Sequence, residues 1–204
     1  VRRALPAARY AHFATHGWFA PEATKSALAG GRDHQESGSV PGWHPLLLSG
    51  LALSDANRVP KDGEEDGILT ALEVSEMDLT RLELAVLSAC ETGLGKVAGG
   101  EGVLGMQRAF QAAGARSVVA SLWQVDDEAT RRLMTDFYSQ LWSRKDPVAK
   151  AEALRRAQLA MLFGKTLEGK PRGAGVKPEK LPKGEGARTP PYYWAAFVLS
   201  GDWR

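Results

Sequence analysis

Short apolar runs that stop at turn residues, a strand-helix-strand spacing between two of them, and amphipathic stretches further on predict an α/β fold built on a mostly parallel sheet. The first run, Tyr10 to Thr15, ends at His16 with Gly17 behind it. The second, Leu84 to Ala89, runs into Cys90 and then a small, glycine-bearing turn at Glu91-Thr92-Gly93. Glu101 to Ala113 reads as a helix, with Val103, Leu104, Met106 and Phe110 on one face and Gly114 as its stop. Ser117 to Leu122 is the third strand, so helix and strands form a crossover unit. Crossovers of that kind leave both strand C-termini on one sheet edge, where open α/β sheets keep their sites.

Beyond the third strand, Asp127 to Trp142 places Leu133, Phe137 and Leu141 at helical spacing, with Met134, Tyr138 and Trp142 beside them. Another helix is expected from Pro147 to Phe163, with Pro147 in its first turn and Asp146 as its cap. A fourth strand is expected at Trp194 to Leu199. Pro21 to Pro45 and Gly164 to Pro191 read as mobile, irregular loops, the second with seven Lys and Arg against three Glu. That second excess reads as a solvated loop rather than a nucleic-acid patch.

The whole chain has 204 residues and is 44% apolar, enough for one well-buried domain over residues 1–204. Its 26 Lys and Arg against 24 Asp and Glu give no cationic excess that would draw it to nucleic acid or an anionic membrane. One cysteine forms no internal disulfide, and neither a signal-peptide pattern nor a bilayer-length apolar stretch is present, so a soluble, reducing, cytoplasmic setting is expected. His12 and His16 lie in a strand-like run rather than on a helix, so neither metal nor cofactor is expected.

If the first two strands are parallel neighbours, His16 and Cys90 meet. An imidazole that assists deprotonation makes a thiol a good nucleophile at neutral pH, which points to a cysteine hydrolase. Taken alone, Cys90 also reads as a buried structural cysteine. His12 shares a face with His16 in an extended run but is not at the turn, and reads as a core or sheet histidine.

The motifs His12-Phe13-Ala14-Thr15-His16-Gly17, Ser49-Gly50-Leu51-Ala52-Leu53, Asp66-Gly67-Ile68-Leu69-Thr70, Leu87-Ser88-Ala89-Cys90-Glu91-Thr92-Gly93, Gly100-Glu101-Gly102-Val103, Ala113-Gly114-Ala115-Arg116-Ser117-Val118, Leu122-Trp123-Gln124-Val125-Asp126-Asp127 and Tyr193-Trp194-Ala195-Ala196-Phe197 follow one another in the order of a known family. Together they resemble the CHAT domain, a bacterial relative of caspases and separases. The resemblance implies a caspase-like sheet flanked by helices on both faces, with His16 and Cys90 as catalytic residues. It also implies cleavage of protein or peptide substrates in regulated defence or signalling, under attached or partner domains such as tetratricopeptide repeats. Family members have further strands before the histidine strand, so the chain is expected to lack its N-terminal strands, as part of a longer domain or protein. Left unpaired, an edge beside the histidine strand would be an aggregation hazard.

In that light the Gly17 and Cys90 amides form an oxyanion hole. Asp127, with Asp126 second, resembles the separase residue that binds a substrate arginine, although Asp127 also suits a helix start. A basic preference at P1 would make the loop at 164–191 a place of self-cleavage. The rival readings are a catalytically silent scaffold or sensor that binds a protein partner, and a thiol esterase or acyltransferase using the same two residues.

Overall fold

The longest described strand, β1 (Tyr10–Phe19), is paired on both flanks. On one side it runs parallel to β4 (Leu84–Glu91), and β4 runs parallel to β5 (Ser117–Ser121). On the other side it pairs antiparallel with β2 (Ser49–Ala52), which pairs antiparallel with β3 (Ile68–Thr70). The computed structural model describes residues 1–19, 44–91, 101–124, 126–164 and 188–204. These form two units, Val1–Leu122 and Trp123–Arg204, and the strand order in the first is β3-β2-β1-β4-β5. The fold is therefore α/β with a mixed sheet whose middle is parallel.

One face of this sheet is covered by α1 (Ala71–Ser75) and α2 (Glu101–Ala112). Phe13, Leu51, Leu69, Ala85, Leu87, Val118 and Ala120 meet Val74, Met106, Ala109 and Phe110 in one cluster. The rings of Phe13 and Phe110 lie 5.7 Å apart, tilted at 59°. Each fully buried Leu or Phe of such a cluster contributes about 1.5–3 kcal/mol, which makes this layer the base that fixes the strands. α2 ends at Ala112, one residue before the expected Ala113, and Gly114, whose φ of 102° suits glycine, follows as the expected stop.

The expected unpaired flank beside the histidine strand is filled by β2 and β3, two strands too short to show as apolar runs. Their edge is closed as well. Arg2 donates to the Ile68 carbonyl (2.6 Å) and to Glu73 (2.6 Å), and also pairs with Glu65. Ile68 N–H donates to Asp66 and Thr70 N–H to Glu73, at 2.9 and 2.8 Å. With these groups engaged, β3 offers little for another strand to pair with. Thr70 and Glu73 form a capping box that starts α1, a helix signalled in sequence only by Thr70-Ala71-Leu72-Glu73.

In the second unit α3 (Asp127–Leu141) and α4 (Lys150–Leu162) pack together, and β6 spans Phe197–Gly201. α4 starts three residues later than Pro147. Asp146 does not cap it; its carboxylate accepts from Arg156 at 3.4 Å, while Ala151 N–H donates to the Trp203 carbonyl at 3.1 Å. β6 also starts three residues later than Trp194, because Trp194 and Ala195 close back onto Pro191 through their backbone N–H groups. The expected loops at Pro21 to Pro45 and Gly164 to Pro191 lie almost wholly outside the described residues. Among the described residues no helix is long and apolar enough to cross a membrane.

Candidate active site

Eight successive register pairs join β1 to β4, from Tyr10↔Leu84 to Gly17↔Glu91, and His16 pairs with Cys90. Neighbouring strands lie about 4.8 Å apart, and register partners occupy the same phase of the pleat. The two positions that the sequence singles out for nucleophile and base are thus backbone neighbours. On the far flank His16 pairs with Ala52, and the Thr15 hydroxyl donates to the Ala52 carbonyl. That bond ties β2 to β1 beside the histidine.

The local geometry differs from the sequence expectation in one respect. Neither strand stops where expected: β1 continues through Gly17 and Trp18 to Phe19, and β4 continues through Cys90 to Glu91. Pairing with β2 and β4 sustains the extended backbone beyond His16, because Gly17 has register partners on both sides, Leu51 and Glu91. Gly17 is therefore a strand residue rather than a turn. An inner-strand amide faces one neighbour or the other, so the Gly17 N–H reaches a substrate oxygen only where the ladder opens.

His12 pairs with Val86 four residues before the His16 position, and burial pushes its pKa below the ordinary histidine value. This favours the uncharged ring. His12 is nonetheless exposed at the sheet surface, so of the two roles expected for it the position fits the sheet one and not the core one.

Asp126 and Asp127 both belong to the second unit. Asp126, not Asp127, caps α3: the Ala129 N–H donates to Asp126 Oδ1 at 3.0 Å. Asp127 is the first helical residue and is exposed. The sequence pointed to Asp127 for the helix-start role, and the side chain one position earlier takes it. Thr92, the residue after Glu91, lies outside the described residues. Among the described residues no group of three or more His, Cys, Asp and Glu is placed to hold a metal ion.

A family profile described as the CHAT domain matches residues 1–202. The chain belongs to the CHAT domain family. That family is one of caspase-like peptidases, in keeping with the α/β sheet of this CHAT domain. The human protein "Tetratricopeptide repeat protein 28" is 31% identical over 175 residues, which cover 80% of this chain and 7% of that protein. Its mouse counterpart of the same name is 30% identical over 172 residues, covering 80% of this chain and 7% of its own length. The CHAT domain here thus matches a small part of much longer relatives.

Proposed function

We propose that this CHAT domain is a cysteine endopeptidase acting on a protein target through His16 and Cys90. The His16↔Cys90 register carries the reading. In the proposed cycle the Cys90 thiolate attacks the scissile carbonyl carbon, and the resulting oxyanion is held by the Cys90 amide and by the Gly17 amide where the ladder opens to it. His16 protonates the leaving nitrogen, the C–N bond breaks, and a thioester remains on Cys90. His16 then takes a proton from water, whose oxygen attacks the thioester; the acid product leaves and the thiol is restored.

Asp127 is proposed to receive a basic P1 side chain, a role supported by the fact that Asp126 already supplies the cap of α3. Tetratricopeptide repeats, which the relatives carry in their name, are proposed to regulate this domain from the same chain or a partner. A nucleophilic thiol without a disulfide partner suits the reducing cytoplasm.

The second reading is a silent scaffold. It is favoured by the continuation of both strands past the His16 and Cys90 positions, which places Gly17 in the ladder. Purified protein and its Cys90→Ala variant, incubated with a diverse peptide library and read by mass spectrometry, separate the two. Cuts present with the parent and absent with the variant establish the peptidase, and Arg or Lys before the cut supports Asp127. A library left intact by the purified protein together with its full-length regulatory chain establishes the scaffold.

A further inference from the structure

Trp18 follows His16 by two residues on β1, so the two side chains leave the strand on the same face, about 6.7 Å apart along it. That spacing is also the two-residue repeat of an extended peptide. Across the strand pair, Trp18 is in register with Gly50 of β2, as His16 is with Ala52. The indole rests over Gly50. A Cβ built there would stand 2.6 Å from Trp18 Nε1, 2.9 Å from its Cε2 and 3.1 Å from the Leu69 carbonyl oxygen, so any larger residue would push the ring away.

The resting place leaves the ring polar atom unsatisfied. Trp18 Nε1 is buried and has no hydrogen-bond partner among the described residues. A buried N–H without an acceptor is costly, and protein interiors keep few of them. The position over Gly50 is therefore a poor minimum for this ring, and an acceptor offered elsewhere on the same face favours another rotamer.

We propose that Trp18 is a specificity-determining residue of the site. It is parked over Gly50 in the free protein and turns, when a peptide lies along the face that carries His16, to donate its Nε1–H to a main-chain carbonyl of that peptide. This rests on the peptidase reading. The peptide supplies the differential free energy, because it offers an acceptor only to the turned ring. A main-chain carbonyl fits the role since every extended peptide presents one at the repeat that separates Trp18 from His16. The apolar face of the turned indole then selects for a large apolar side chain at the adjoining substrate residue.

The test uses the Cys90→Ala chain, with nitrogen-15 in its indoles, and a randomised nine-residue peptide pool with Arg or Lys at the centre. Comparison with Trp18→Phe assigns the Trp18 indole resonance. Binding is expected to move that resonance downfield, and Trp18→Phe is expected to bind the pool about tenfold more weakly, as loss of one buried hydrogen bond does, without a lower melting temperature. Gly50→Ala, which evicts the ring in advance, is expected to bind more tightly, because the parked population no longer competes. An unmoved resonance on a bound peptide, equal affinities for Trp18→Phe and its parent, weaker binding by Gly50→Ala, or no binding by any form each overturns the proposal. Binding with a moved resonance but no Cys90-dependent cleavage by the parent protein would sink the peptidase reading alone.

Discussion

Asp136 lies on the buried side of α3, 4% exposed, between Leu133 and Phe137. Its Oδ2 is buried without a hydrogen-bond partner among the described residues. Burial raises its pKa from an ordinary 3.8 to about 6, and the Arg132 charge one turn earlier only partly opposes the rise. The folded chain therefore holds this proton more tightly than the unfolded chain does. The stability that the protonated side chain supports is complete below about pH 3.8, is lost as pH rises through about 6, and stays lost above that. At about 1.4 kcal/mol per tenfold change in proton affinity, the cost of the charged form above pH 7 is roughly 3 kcal/mol. Asp136→Asn keeps the shape and removes the charge. It should stabilise the protein by about 3 kcal/mol at pH 7.5, a rise in melting temperature of roughly 6–12 °C, and by less than about 1 kcal/mol at pH 4. Urea unfolding and thermal melts of both proteins at the two pH values measure this. Equal stabilisation at both, or a loss at pH 7.5, would refute the argument that a buried charge is the source.

Two further outcomes follow from the packing. Gly67 has a φ of 70°, and a Cβ there would stand 2.4 Å from the Ala56 nitrogen and 2.5 Å from the Ser54 carbonyl oxygen. Gly67→Ala should cost about 2–4 kcal/mol or prevent folding, because backbone atoms cannot move aside as a flexible side chain can; a urea midpoint equal to that of the parent would show the turn to be adaptable. The chain on either side of residues 165–187 is joined by bonds from Thr189, whose N–H donates to the Leu162 carbonyl at 3.0 Å and whose hydroxyl donates to the Met161 carbonyl at 2.7 Å. Gln158 adds a bond to the Phe197 carbonyl at 2.9 Å. A protein cut once at a protease site inserted between Gly164 and Arg188 should elute from size exclusion as one species and part only in denaturant, whereas fragments that separate in native buffer would contradict this.

Much of the framework follows from local pattern. The apolar runs at Tyr10, Leu84 and Ser117 form strands, and the stripe from Leu133 to Leu141 forms α3, because a side chain's phase along the chain decides which face it can bury. The nucleophile and histidine candidates were also visible there, as one cysteine and one histidine at comparable places on two apolar runs.

Their meeting was a different matter. Whether His16 stands beside Cys90 or a residue away depends on strand register, and register is fixed by non-local pairing and by the core packed on the opposite face, with Phe13 on Phe110. The same holds for β2 and β3. Strands of four and three residues carry too little pattern to announce themselves, and they exist because β1 pairs with β2, β2 pairs with β3, and Arg2 engages the outer edge. Strand continuation past Gly17, the start of α4 under the Trp203 carbonyl and the placing of Trp18 over Gly50 likewise depend on residues far away in the chain. Short-range sequence determines which surfaces need burial and which chemical groups are present; long-range pairing determines which of those groups become neighbours, because a backbone donor or an apolar face takes whatever partner the folded chain brings to it.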